Sequence, residues 1–156
     1  MSITHFLQTP IGCLALSFSG DTLHQVELLY DDKSKSVGRL SAKQQNIVKH
    51  IERYFKKAEK LTVPFAIKLG TPFQQRVWQA LLEIPLGQTR TYGELAKKLK
   101  TSARAIGMAC RTNPIALIVP CHRVVAANDL GGFGGVRDGK PVKVKQWLLA
   151  HEARTV

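Results

Sequence analysis

The four residues Pro120-Cys121-His122-Arg123 hold the densest chemistry in this chain of 156 residues. A cysteine thiolate is a strong, soft nucleophile, but an ordinary thiol is mostly protonated at neutral pH and needs a base or a positive neighbour. His122 is adjacent, Arg123 adds positive charge, and Pro120 fixes the backbone before the thiol without donating a backbone hydrogen bond. The apolar run Leu117-Ile118-Val119 would bury the segment and hold the sulfur rigidly at a pocket floor. A Cys-His pair calls for a third group to orient the imidazole, and His151-Glu152 offers a carboxylate. On these residues alone two readings stand. Cys121 is a nucleophile, or it is a small core residue in an apolar run with Glu152 an ordinary surface charge. A Cys-His-Glu set would also suit an acyl hydrolase, which would need an oxyanion hole besides.

The elements that must position these residues are legible from periodicity and punctuation. Residues 1 to about 30 read as a small antiparallel sheet: a strand over 11–18, a turn at Ser19-Gly20-Asp21, and alternation again over 23–28. Ile47, Val48, Ile51, Tyr54 and Phe55 fall at helical spacing and predict an amphipathic helix over 41–58. Residues 61–70, with Pro64, read as an extended linker. Thr71-Pro72 is an N-cap followed by proline at the first helical position, opening a helix that carries Phe73, Val77, Trp78, Leu81 and Leu82. Thr91-Tyr92-Gly93-Glu94 fits a capping box, and that helix ends near Lys100. A further helix follows Thr101-Ser102 and stops before Asn113-Pro114, and a last one spans about 142–152. The expected organisation is an α/β N-terminal domain, 1–69, of small antiparallel sheet plus helix, and a mainly helical C-terminal domain, 70–156. The helices 92–99 and 102–111 resemble a helix-turn-helix, whose second member would meet DNA with Ser102, Ala103, Arg104 and Arg111.

Twenty-three Lys and Arg against eleven Asp and Glu give a net charge of +12, which suits a polyanionic partner because each neutralised phosphate releases counterions. The basic residues are dispersed rather than gathered on one amphipathic helix, which speaks against a membrane surface, and the longest apolar stretch, 115–119, is too short to span a bilayer. The start, Met1-Ser2-Ile3-Thr4-His5, lacks the pattern of a secretory signal. Three cysteines, Cys13, Cys110 and Cys121, then point to free thiols in a reducing compartment. No CxxC pair is present and His5, His24 and His50 have no ligand spacing with Cys13, so no metal site is expected.

The run Asn113-Pro114-Ile115-Ala116-Leu117-Ile118-Val119-Pro120-Cys121-His122-Arg123-Val124-Val125 resembles the active-site signature of the O6-alkylguanine-DNA alkyltransferases, the methylated-DNA–protein-cysteine methyltransferases. Four more segments resemble the same family: Gly70 to Trp78 its first helix, Tyr92 to Ala96 the start of its helix-turn-helix, Arg104 to Gly107 its recognition helix, and Lys145 to Glu152 its closing helix. The likeness runs almost continuously over 70–152 and over 1–69 covers only the order of elements.

The resemblance implies a ribonuclease-H-like N-terminal domain and a stoichiometric, irreversible transfer of an alkyl group from O6-alkylguanine, and from O4-alkylthymine, in double-stranded DNA to Cys121. It implies no cofactor, a monomer, and a cytoplasmic protein, nucleoid-associated if bacterial. Cys121 matches the alkyl acceptor, His122 the base that deprotonates it through a bound water, and Glu152 the carboxylate that orients the histidine. Asn113 matches the residue bracing the active-site turn, and Tyr92 the tyrosine that protonates guanine N3. Arg104 matches the arginine that fills the space left by the flipped nucleotide, with Ser102, Ala103, Arg111 and Arg123 as further DNA contacts. Phe133, Gly134 and Gly135 match the substrate loop. The chain departs from the family pattern at Lys100-Thr101, where glycine and proline are usual and the turn is shorter, and at Phe133, which cannot donate a hydrogen bond as the usual tyrosine does.

Overall fold

The computed structural model describes residues 2–36, 38–67, 69–127, 131 and 139–154. The chain divides into two compact units, Met1–Lys68 with Pro114–Ile118, and Leu69–Asn113 with Val119–Val156.

In the first unit three strands, β1 (Ser2–Thr9), β2 (Gly12–Ser19) and β3 (Thr22–Tyr30), form an antiparallel sheet in chain order. The register sets Leu14 opposite Leu28, Leu16 opposite Val26 and Phe18 opposite Leu23, so the alternating apolar residues share a face. Helix α1 (Ala42–Lys56) starts with a complete capping box between Ser41 and Gln44 and buries Ile47, Val48, Ile51, Tyr54 and Phe55. The extended segment after α1 does more than link: Leu23 N–H donates to Pro64 O at 3.0 Å and Ala66 N–H to Leu23 O at 3.0 Å. Pro114–Ile118 joins the same unit, with Val26 N–H donating to Pro114 O at 3.0 Å and Ile115 fully buried.

The second unit holds the remaining four α-helices found among the described residues: α2 (Pro72–Leu82), α3 (Tyr92–Leu99), α4 (Ala103–Arg111) and α5 (Lys140–Ala153). Capping boxes open α2, from Thr71 and Gln74, and α3, from Thr91 and Glu94. Two short strands, β4 (Arg90–Thr91) and β5 (Val124–Val125), pair in parallel. Helix α2 fastens the α3–α4 pair. Arg76 donates to Leu99 O at 3.1 Å, Gln74 to Thr112 Oγ1 at 3.1 Å, and the buried Trp78 indole to Ala109 O at 2.8 Å. Val77, Leu81, Leu95, Ile106, Val119, Val124 and Leu148 form the core of this unit.

Between α3 and α4, Lys100 takes the left-handed conformation (φ 56°, ψ 51°) as the C-cap of α3, a place that suits glycine. Three residues, Lys100 to Ser102, suffice for the turn because Ser102 also caps α4, its hydroxyl accepting from Ala105 N at 3.1 Å.

Candidate active site

The acceptor-type segment is built by two tight reversals. Leu117 has φ 74° and the flanking bond runs from Ile118 N to Ala116 O at 2.9 Å, a strained three-residue turn for a branched side chain. Pro120 (φ −82°, ψ 67°) then centres an inverse γ-turn, closed by Cys121 N–H donating to Val119 O at 2.8 Å. Cys121, His122 and Arg123 continue as one turn of 3-10 helix that feeds β5. Asn113 braces the start of this run: its side-chain amide donates to Val119 O at 2.8 Å and also hydrogen-bonds the Cys121 thiol, while its backbone N–H reaches Cys110 O at 3.2 Å.

Behind the half-buried Cys121 lies a buried ionic cluster. His122 and Glu152 are each 1% exposed, and His122 Nε2 lies 2.8 Å from Glu152 Oε2. Burial opposes ionisation of Glu152, but hydrogen bonds and charge from His122 and Arg123 outweigh it and hold the carboxyl well below the usual carboxylate range. A carboxylate only accepts, so Nε2 carries the proton and donates it to Glu152. That leaves Nδ1 as the lone-pair nitrogen, and it is buried with no hydrogen-bond partner among the described residues. Burial pushes the His122 pKa down against the pull of Glu152, which keeps the ring neutral and able to accept a proton. Burial likewise pushes the Cys121 thiol up, while the Asn113 side chain, the Lys145 charge and nearby backbone N–H groups pull it part of the way back. Both shifts favour the uncharged forms, a thiol and a neutral imidazole.

Arg123 stands apart from the expected placement at a DNA face. It is 9% exposed; its guanidinium donates to Glu152 Oε1 at 2.8 Å, to Glu152 Oε2 at 3.0 Å and to Ile84 O at 2.8 Å. Committed to a bidentate carboxylate and a carbonyl, the buried guanidinium braces α5 and the chain after α2 from inside.

Lys145, quoted in the closing-helix match but given no role there, lies close to these groups. It is fully buried on α5, its ammonium donates to Val124 O at 2.6 Å, and it lies 5.7 Å from the Tyr92 ring centre. Its place could have been found in the helical spacing of α5, where it falls in line with Leu148 and Glu152 on the buried face. Tyr92, the first residue of α3, is half-buried. Gly131 (φ 75°) passes so close to it that an added Cβ would sit 3.0 Å from Tyr92 Cε2 and 3.4 Å from its hydroxyl. Cys110, near Cys121 at the end of α4, has its thiol pushed up to about 12, first by burial and then by that neighbour.

Ser102, Ala103, Arg104 and Arg111 are all exposed on or beside α4. Phe133, Gly134 and Gly135 lie outside the described residues. The geometry thus collects Cys121, His122, Glu152, Asn113, Tyr92 and Lys145 in the second unit. A thiol stands there with a histidine whose second ring nitrogen is fixed by a carboxylate, a set of groups able to supply a sulfur nucleophile.

Comparison with known proteins gives the same class. Residues 72–154 match the family described as 6-O-methylguanine DNA methyltransferase, DNA binding domain. The methylated-DNA–protein-cysteine methyltransferase of Mycobacterium leprae is 44% identical over 140 residues, 83% of this chain and 82% of that protein. Its counterpart from Methanosarcina mazei is 38% identical over 157 residues, 95% of each chain. The crystal structure of Mycobacterium tuberculosis OGT in complex with DNA is similar with a TM-score of 0.81 at 36% identity, covering 98% of this chain and 94% of that one. The chain belongs to the methylated-DNA–protein-cysteine methyltransferases.

Proposed function

We propose that this protein repairs DNA by direct reversal, moving the alkyl group of O6-alkylguanine in duplex DNA irreversibly onto Cys121. The observation that carries the reading is the buried lone-pair nitrogen of His122 in the residue next to Cys121, with Glu152 fixing the opposite nitrogen at 2.8 Å.

The lesion carbon lies on a base inside a duplex, so the base must leave the stack, at a cost of about a few kcal/mol. The α3–α4 pair acts as a helix-turn-helix, and the first domain is ribonuclease-H-like. Arg104, exposed on the first turn of α4, fills the space of the extruded nucleotide and offsets part of that cost, while Ser102, Ala103 and Arg111 border the duplex. His122 takes the Cys121 proton through a water, and the sulfur attacks the alkyl carbon in line with the departing O6. One S–C bond forms, the C–O6 bond breaks, and the electron pair goes to guanine. Tyr92 delivers a proton to N3, which makes guanine a better leaving group. Overall, the proton lost by the thiol balances the one gained by guanine. The buried Lys145 charge favours both transient anions, the thiolate and the Tyr92 phenolate. Asn113 holds the sulfur on course. The thioether is stable, so each molecule acts once; the protein works in the cytoplasm and as a monomer.

Replacing the acceptor separates chemistry from binding. Cys121→Ala is expected to abolish alkyl transfer while affinity for a duplex carrying O6-methylguanine, measured by fluorescence anisotropy, stays within about threefold of wild type. Residual transfer, or a large loss of affinity, would contradict the assignment.

A further inference from the structure

The face of α4 that bears Arg104 has a residue that neither the core nor the proposed chemistry uses. Met108 is 54% exposed, and Leu69 is the other large exposed apolar side chain among the described residues. Arg104, Met108 and Arg111 fall at positions i, i+4 and i+7, one stripe of the helix, and all three are exposed. The opposite stripe, Ile106 and Ala109, is buried at 0% and 2%. The helix is held firmly at both ends, by the Ser102 cap and by the Trp78 bond to Ala109 O at 2.8 Å. The exposed thioether is set between two guanidinium groups on a rigid helix, and the cations on either side select a polyanion. Duplex DNA answers both features, phosphates for the arginines and stacked base faces for the apolar chain. Methionine is unbranched and polarisable, which suits an irregular gap between partly unstacked bases.

We infer that Met108 is an apolar wedge that enters the base step beside the extruded nucleotide, flanked by Arg104 and Arg111. This rests on the reading of α4 as the DNA-facing helix. The wedge lowers the cost of extrusion by keeping the neighbouring step partly open, a task a cation alone performs poorly.

The test uses full-length wild type, Met108→Ala and Met108→Leu, with a duplex carrying O6-methylguanine next to 2-aminopurine, whose fluorescence rises on unstacking. Met108→Ala is expected to bind about tenfold more weakly and to give a smaller fluorescence rise. Its dependence of log Kd on log salt should be unaltered, since no charge changes. Met108→Leu is expected to restore most of both signals. Wild-type affinity and fluorescence in Met108→Ala would overturn the wedge, as would a fall in its thermal midpoint, which marks a structural role. Wild-type protein without salt-dependent duplex binding would overturn the repair reading itself, and the wedge with it.

Discussion

His122 sits where two opposing demands meet. It must be neutral to accept a proton, yet it touches a carboxylate that favours its charged form. Burial decides the matter and moves its pKa below the ordinary 6.5. The ring therefore stays a base as pH falls through 6.5, and becomes protonated only at lower pH. The rate of methyl transfer, followed under single-turnover conditions, is expected to decline with a midpoint below 6.5, whereas a midpoint at or above that value would contradict the buried-base account. The stability that this cluster gives has the same sign. Glu152's depressed pKa contributes stability that is full above the ordinary 4.5 and is lost as pH falls toward the folded value. Arg123 makes a second prediction at this scale. Its guanidinium is committed to Glu152 and Ile84 O, so Arg123→Met strands a buried carboxylate. The variant should lose about 3–5 kcal/mol of unfolding free energy in urea, with the salt dependence of DNA binding unchanged. A stable variant with a shallower salt dependence would return Arg123 to the DNA face. The sequence suggested a cation near Cys121 but could not show which way it pointed. An arginine following a Cys-His pair reads as a surface charge until its partner, some 29 residues further on in another element, is known.

Among the elements, the helices were legible wherever their ends carried chemistry. Thr71-Pro72 and Thr91 with Glu94 mark the starts of α2 and α3 at the residues where those helices begin. Helix α1 starts at its Ser41 cap as the apolar spacing required. What escaped were elements made of two or three residues, too short to show a period of their own. The β4–β5 pair joins Arg90 to Val124 and Thr91 to Val125, and the 3-10 turn at Cys121–Arg123 follows from two tight reversals. No local period announces either. The turn between α3 and α4 shows the cost of one departure from the family pattern. Lys100 holds the left-handed region that an L side chain occupies at roughly 1 kcal/mol. Lys100→Gly should therefore raise unfolding free energy by about 0.5–1 kcal/mol, read from the urea midpoint. A destabilised variant would mean that the Lys100 side chain contributes more than its backbone strain costs.

For the whole molecule, charge and chain path explain what the site can be used for. The excess of +12 gives the protein a long-range attraction for nucleic acid that no single residue supplies. The path is less simple than the sequence suggested, because Pro114–Ile118 belongs with the first unit although the residues on either side belong with the second. The reason is physical: Ile115, Leu117 and Ile118 are apolar and buried, and Pro114 O accepts from β3, so this stretch completes a core begun a hundred residues earlier in the chain. The next residues then turn sharply into Cys121. Apolar character was visible in the sequence, and the core it would join was not.

The measurement that bears most directly on the central claim is the intact mass of the protein after mixing with excess duplex carrying a single O6-methylguanine. The account predicts one stoichiometric gain of a methylene unit, located on Cys121 and absent with unmodified duplex. No gain in mass despite tight duplex binding, or repeated turnover without a lasting adduct, would contradict it.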